Sequence, residues 1–361
     1  MVDLGSLTAF GASGSPGVKA RCKVTQSTSS SGGGGGLLGA AASLLGGAAE
    51  SDPWAEHLLR VEITQGPAPS VAVCRLTVAR TPRLPALAVG DELSVELGYD
   101  QALTPVFTGK LASVADTAER GLVLTLGSSA HLLASLRQNA SFEQQSLGDL
   151  TRQWAAAAGV TPGSVDAGPS YPFIAIDDHA SAWEWIAALA RLAGLWAWID
   201  GAGELRLGEP EAAAARSFRY GQDVLALSLA ERAAFLGEVS VVGEGAAGSQ
   251  GADAWSWLVK QADGVKASAG SGGPKRVFQH GALRSHDAAD AAARGVSARS
   301  EGGRSEVRVT VTGSPELAVA SRFELADFPD GRGDGSYVVL GLCHRYDKRF
   351  GFRSELRGVA S

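Results

Sequence analysis

Between residues 58 and 128, apolar and polar residues alternate with a period of two in one short run after another, a pattern that suits strands with one face buried. "LLRVEIT" (58–64) puts Leu59, Val61 and Ile63 on one face and Arg60, Glu62 and Thr64 on the other. "SVAVCRLTVA" (70–79) follows a Gly-Pro-Ala-Pro turn, and "GDELSVELGYD" (90–100) sets Leu93, Val95 and Leu97 against Glu92, Ser94 and Glu96. "PVFTGKLASV" (105–114) and "GLVLTLGS" (121–128) complete the series, with "GVKARCKVTQ" (17–26) as its opening strand. Short strands separated by turns predict an antiparallel sheet that curls into a barrel.

From residue 129 the period changes to that of a helix. In "SLGDLTRQWAAAAG", Ser146 sits at an N-cap with Asp149 three residues on; Leu147, Leu150 and Trp154 share a face, and Gly159 stops the helix. "SAWEWIAALARLAG" repeats the grammar with a Ser181/Glu184 capping box, a Trp183, Ile186, Ala190 face and a terminating Gly194. "LWAWIDGAGELRLGE" (195–209) reads as a hairpin turning at Asp200-Gly201. Beyond it, "EVSVVGEG" (238–245), "EVRVTVTG" (306–313), "SRFELADF" (321–328), "SYVVLGLCHRYD" (336–347) and "FRSELRGVA" (352–360) are strands again. One helix, near 285–300, interrupts them, and "GSGGPK" (270–275) is a loop. The expected organisation is mainly β with an α+β insertion. It comprises a first barrel-like antiparallel domain over 1–128, a helical insertion over 129–210, and a second barrel-like domain over 211–361.

A glycine-rich loop over 27–52 is set into the first domain. Its core, "SSSGGGGGLLGAAASLLGG" (29–47), reads first as a flexible linker, next as a loop docking on a tube or spike partner, and last as a membrane-active segment. No apolar run reaches the roughly 20 residues of a bilayer span, so no membrane span is expected. The N-terminus shows no basic region followed by an apolar one, so classical secretion is not expected either. The formal charge of −6 argues against binding nucleic acid through its phosphates. Cys22, Cys74 and Cys343 form no CxxC pair and lie in strand-like runs, as small buried hydrophobes made in a reducing compartment.

The search for chemistry returns weak signals. Gly34, Gly36 and Gly39 satisfy GxGxxG inside a glycine run with no adequate helix after them. Gly243, Gly245 and Gly248 follow a strand, but "SQGADAWSWLVK" comes next instead of an amphipathic helix. Histidines 57, 131, 179, 280, 286 and 344 show no metal-ligand spacing, and His344, inside a strong strand, reads as structural. "DFPDGRGDG" (327–335) collects Asp327, Asp330 and Asp334 but fits a hairpin tip better than a calcium loop. Trp183, Trp185, Trp196 and Trp198 fit the core of the insertion better than a carbohydrate platform. No catalytic, cofactor-binding or metal-binding residue is assigned, no cofactor is expected, and an enzyme is not expected.

The order of elements resembles the baseplate hub family of contractile tails. That family includes the late control protein D of phages, the hub part of the valine-glycine-repeat spike proteins of type VI secretion, and the hubs of extracellular contractile injection systems. The resemblance runs through "VGDELSVELGYD", then "PVFTGKLASVADTAERGLVLTLGSSAHLLASL", "SLGDLTRQWAAAAGV" and "SAWEWIAALARLAGLWAWIDGAGELRLGE". It continues near the C-terminus in "DAADAAARGVSARSEGGRSEVRVTVTGSPEL" and "DGSYVVLGLCHRYDKRFGFRSELR", covering about residues 55–360. Where the family has Pro-Gly before the penultimate strand, this chain has Val319 and Ala320.

What the resemblance implies is mechanical. Two barrel-like domains per chain would assemble as a homotrimer into a pseudo-sixfold ring that joins a hexameric inner tube to a threefold spike. The chain ends at Ser361 without a spike domain, so a separate spike protein is expected. The other partners implied are the inner tube protein, baseplate wedge proteins and a cargo effector. Such a protein would be made in the cytoplasm and assembled into a phage virion or contractile injection particle. Two other readings stay open. One is a baseplate-associated cell-wall-degrading enzyme, with Asp177, Asp178 and Glu184 as its nearest carboxylates; the other is a monomeric β-rich binding protein.

Overall fold

The fold is given by a computed structural model, which describes residues 19–27, 52–118, 121–231, 237–243, 265–303 and 305–361. The glycine-rich stretch 29–47 lies outside the described residues. The first β region contains β1 (Ala20–Ser27), a short helix α1 (Pro53–His57), β2 (Leu58–Gln65), β3 (Val73–Val78), β4 (Glu92–Tyr99), β5 (Ala102–Thr117) and β6 (Gly121–Ser128). Next come α2 (Ala130–Ser135), β7 (Ala140–Ser146), α3 (Leu147–Ala158), β8 (Pro162–Val165), β9 (Ser170–Ile176), α4 (Ala182–Leu192), β10 (Trp196–Ile199) and β11 (Leu205–Gly208). The remainder holds β12 (Ala214–Arg219), β13 (Val224–Glu231), β14 (Glu238–Gly243), β15 (Lys266–Gly270), β16 (Lys275–His280), α5 (His286–Gly302), β17 (Ser305–Thr312), β18 (Arg322–Ala326), β19 (Gly335–Asp347) and β20 (Gly351–Ala360). The protein is mainly β, with large antiparallel sheets.

The alternation read from the sequence places the core of the first region. Val61, Ile63, Cys74, Leu76, Leu93, Val95, Leu97, Leu124 and Leu126 are buried together. Leu59 is the exception: the ladder between β2 and β3 shifts register between Leu58 and Arg60, so Leu58 turns inward and Leu59 stays 42% exposed. A bulge inserts one residue and reverses the faces before it, which simple alternation cannot anticipate.

The helices form where capping and periodicity put them. Ser146 accepts from the Asp149 amide and opens α3, and Gly159 closes it at φ 71°. Ser181 and Glu184 make a reciprocal capping box at the start of α4. Ser181→Ala removes the acceptor for one of the free N-terminal amides, so α4 is expected to lose about 1 kcal/mol, read as a small drop in the urea midpoint of unfolding. Trp154, Trp183, Ile186 and Leu189 pack with Tyr171 and Ile174 in one core. Trp196 and Trp198 do not join it. β10 has two faces; Ala197 and Ile199 face that core, while Trp196 is buried with Val319, Ala320 and Val338, and Trp198 packs beside them. Ala320 takes φ 66° in that turn, a left-handed conformation that favours glycine, the residue the hub motif has there.

Among the described residues one twelve-stranded sheet runs through both β regions. Its strands fall into two sets with the same wiring. The first pairs in the order β1-β4-β5-β6-β3-β2 and the second in the order β12-β18-β19-β20-β17-β13, so each strand occupies the same place in chain order and in the sheet. The irregularities repeat as well. β5 shifts register between Leu111 and Ser113 against β6, as β19 does between Val339 and Gly341 against β20. β13 shifts between Val224 and Ala226, the counterpart of the Leu58/Arg60 bulge, and its bulged Leu225 is 60% exposed where Leu59 is 42%. The first strands differ: β1 runs antiparallel to β4, whereas β12 runs parallel to β18. Segment 129–210 lies between the sets, and β14–β16 with α5 lie inside the second.

Candidate assembly surface

The two sets are welded by one antiparallel pairing, β2 with β19, from Leu342 opposite Gln65 to Asp347 opposite Arg60. β19 can reach both sets because it changes partner along its length. Its N-terminal half pairs with β18 up to Val338, and its half after the bulge pairs with β2.

Each face of this seam has its own chemistry. On the outward face Arg345 bridges Glu62 (3.6 Å) and Glu355, Arg60 meets Asp347 at 3.3 Å, and Thr64 Oγ1 donates to Cys343 Sγ at 3.7 Å. Burial works against the Asp347 carboxylate, yet the Arg349 and Phe350 amides and Arg60 hold it below the usual carboxylate range. Further along, Glu306 is buried and paired with Arg357 Nε at 2.7 Å and Arg308 at 3.4 Å. A groove of about 490 Å³ crosses this face, lined by Thr64, Ser228, Thr310, Cys343 and Glu355 among others. On the inward face His344 is fully buried, its ring 5.5 Å from that of Phe352 and its Nδ1 2.9 Å from Ser354 Oγ, which also accepts from the Ser314 amide. Burial pulls the His344 pKa down to about 4, with a contact to the Leu317 backbone acting the other way. The imidazole is thus a neutral structural element.

The other residues singled out in the sequence have structural surroundings. Burial pushes the thiols of Cys22, Cys74 and Cys343 up, which suppresses the reactive thiolate, and all three are free. Glu184 accepts from the Ser181 amide at 2.7 Å and its hydroxyl at 2.8 Å, bonds that hold its carboxylate below the ordinary range. Asp177 pairs with His179, and the Asp178 and His179 carbonyls accept from Arg137 at 3.1 and 2.7 Å. The Glu184 carboxylate serves a helix cap, and the Asp177 carboxylate a surface loop. Asp334 accepts from the Phe328 amide within the 327–335 turn, a tie across the β18–β19 connection. Gly243 ends β14, where an added Cβ would lie 1.8 Å from the Leu283 carbonyl; Gly245, Gly248 and Gly34, Gly36, Gly39 fall outside the described residues. Among the described residues no group of three or more His, Cys, Asp or Glu is placed to hold a metal ion, and no helix is long and apolar enough to cross a membrane.

What the sequence reading missed are the edges. β13 and the end of β5 carry no motif; only their lack of a neighbour marks them. Among the described residues β13 pairs with β17 alone, and β5 from Ser113 onward pairs with β6 alone.

No family model matches the chain, and no curated relative is found. Solved structures do match. The 43 kDa tail protein of prophage MuSo2 from Shewanella oneidensis superposes with a TM-score of 0.62 at 15% identity, over 84% of this chain and 94% of that one. A tail protein from Neisseria meningitidis MC58 gives 0.64 at 16% identity, over 84% and 93%. An E. coli component of the type VI secretion system, itself structurally similar to the T4 phage tail proteins gp27 and gp5, gives 0.55 at 10% identity, over 84% and 74%. These neighbours are tail and secretion-system components, and this chain shares their fold.

Proposed function

We propose that this protein is the structural hub of a phage tail or contractile injection particle, a homotrimer that adapts a hexameric inner tube to a threefold spike. The observation that carries the reading is the repetition of one six-strand wiring twice in a chain with the tail-hub fold. Three copies of a chain with two equivalent units present six similar units to a sixfold partner, while three copies of everything else suit a threefold one. In this reading each strand set is a barrel-like domain, one within 1–128 and the other within 211–361, with 129–210 as the insertion between them. Spike, tube, baseplate wedge and cargo proteins are its contacts in this reading. The role is mechanical and needs no catalytic centre.

The test is sedimentation of lysate from the native source, with quantitative mass spectrometry of the heavy fraction. The chain is expected among sheathed particles at about half as many copies as one layer of the tube protein. If tube and sheath proteins pellet while this chain stays wholly in the light fraction, the reading fails.

A further inference from the structure

A cleft of about 640 Å³ opens between the last turns of α5, the start of β10 and the outward face of β19 and β20. One wall holds a cation without an anion. Arg299 of α5 lies over the Trp196 ring, 5.3 Å from its centroid, and donates from Nη2 to the Leu195 carbonyl. Its Nε is buried and meets no acceptor among the described residues. Burial, with the charge of Arg191 nearby, pulls its pKa down to about 10, as expected of a charge its surroundings do not answer. Arg322 also lines the cleft and gives its Nε to the Glu211 carbonyl. Among the described residues neither arginine forms an ion pair.

The internal repeat shows why Arg322 lacks one. By the matched bulges of β5 and β19, Val338 stands where the first set has Lys110, and Arg322 where it has Glu92. Glu92 and Lys110 are cross-strand partners of opposite charge, whereas Arg322 faces an aliphatic side chain. Of the two acids lining the cleft, Glu306 is already engaged by Arg357 at 2.7 Å and Arg308 at 3.4 Å, and Glu301 is exposed. Beside the cations the cleft is apolar. Leu340 and Val359 pack on Trp196 and Val338 but stay half-buried, with part of each side chain open to the cleft.

We infer that this cleft binds the C-terminal end of a partner polypeptide, its carboxylate at Arg299 and Arg322 and an aliphatic last side chain on Leu340 and Val359. The site belongs to a single copy and does not rest on the hub reading. A chain end carries a carboxylate and a side chain on one carbon, which suits cations and aliphatic surface lining one cleft. Capture of a terminal carboxylate is a recurrent mode of peptide recognition, and the volume is that of a pocket enclosing a small ligand. A phosphate suits it less. The cleft is bordered by the C-terminal ends of α4 and α5, whose carbonyls are the negative ends of the helices and oppose a dianion more than a single carboxylate.

The test uses the full-length chain labelled with 5-fluorotryptophan, in which the Trp196 fluorine resonance is identified by its loss in Trp196→Phe. The probe is the peptide acetyl-Gly-Ser-Leu with a free carboxylate, compared with its carboxamide. The free acid is expected to move the Trp196 resonance saturably. The amide should bind about tenfold or more weakly, the loss expected for hydrogen bonds to a charged group. Arg299→Gln should weaken the acid by a similar factor. Because Arg299 also holds the Leu195 carbonyl, Arg322→Gln, which leaves that bond in place, is the second variant and should weaken the acid as well. Acid and amide binding alike, or a Trp196 resonance that neither moves, overturn the site. So does unchanged affinity in both arginine variants. Displacement of the peptide by an equal concentration of inorganic phosphate overturns the assignment to a carboxylate.

Discussion

Replacing Trp183 with alanine is expected to cost about 3–5 kcal/mol, the range for removing a large aromatic side chain from a core that cannot collapse around the space. Trp183 is 1% exposed, packed with Trp154, Tyr171 and Leu189. It also does more than fill volume. Its indole Nε1 donates to the Ser70 carbonyl at 3.1 Å, in the connection between β2 and β3, and the adjacent Ala68 amide donates to the Ala197 carbonyl at 2.7 Å. Ala68 and Val71 of that connection pack on the helical core. The substitution therefore loosens the helical segment and its hold on the first strand set together. Urea unfolding followed by far-UV circular dichroism should show the helical signal lost at markedly lower urea. Trp183→Phe keeps most of the volume and leaves the Ser70 carbonyl without this donor, so it should recover most, not all, of the loss. A Trp183→Ala midpoint within error of the native protein would show that the core is not closed as described.

His344 makes the stability of the sheet depend on acidity. Its pKa is about 4 in the folded protein against 6.5 for the free side chain. Above pH 6.5 both folded and unfolded chains hold a neutral imidazole, and the group adds no pH dependence. Between 6.5 and 4 the unfolded chain takes up a proton that the folded chain refuses, so folding loses stability as pH falls, by on the order of 3 kcal/mol across the window. The cause is burial among Phe352, Ile63 and Ser354 on the inner side of the seam. Carboxylates titrate in the same range, so the measurement is a difference. Unfolding free energies at pH 7, 6, 5 and 4.5 are compared for the native chain and His344→Gln, which keeps a polar group near Ser354 but cannot titrate. The native chain should lose more stability on acidification than the variant; parallel curves would remove His344 from the account.

The secondary structure was legible where one local rule decides it. Leu93, Val95 and Leu97 alternate and are buried; Ser146, Ser181 and Gly159 stop or start helices because capping is settled within a few residues. Leu59 escaped because a bulge is set by the partner strand, and Trp196 and Trp198 because the far face of β10 meets a turn more than a hundred residues on. β12 and β13 passed unnoticed because "AARSFR" and "VLALSLAE" are half-exposed strands with little contrast between faces. Their edge, the core of the candidate surface, is defined by what does not pair with it, and no residue type marks that.

Taken alone, the amino-acid order settled strands β1–β6, β10, β11, β14 and β17–β20, where α3, α4 and α5 begin, and which side chains of most of those strands turn inward. The tertiary structure alone decided that the chain uses one wiring twice. Leu58, Leu59, Arg60, Val61, Glu62 and Ile63 of β2 correspond to Val224, Leu225, Ala226, Leu227, Ser228 and Leu229 of β13, yet of these six pairs only Leu59 and Leu225 are identical. A sheet asks that apolar side chains point inward and leaves most of their identity free, so two strand sets can differ in sequence while keeping the same order of pairing. The seam that joins them is equally silent in the sequence, since Thr64 and Cys343 stand 279 positions apart and their pairing is decided only when both sets have folded.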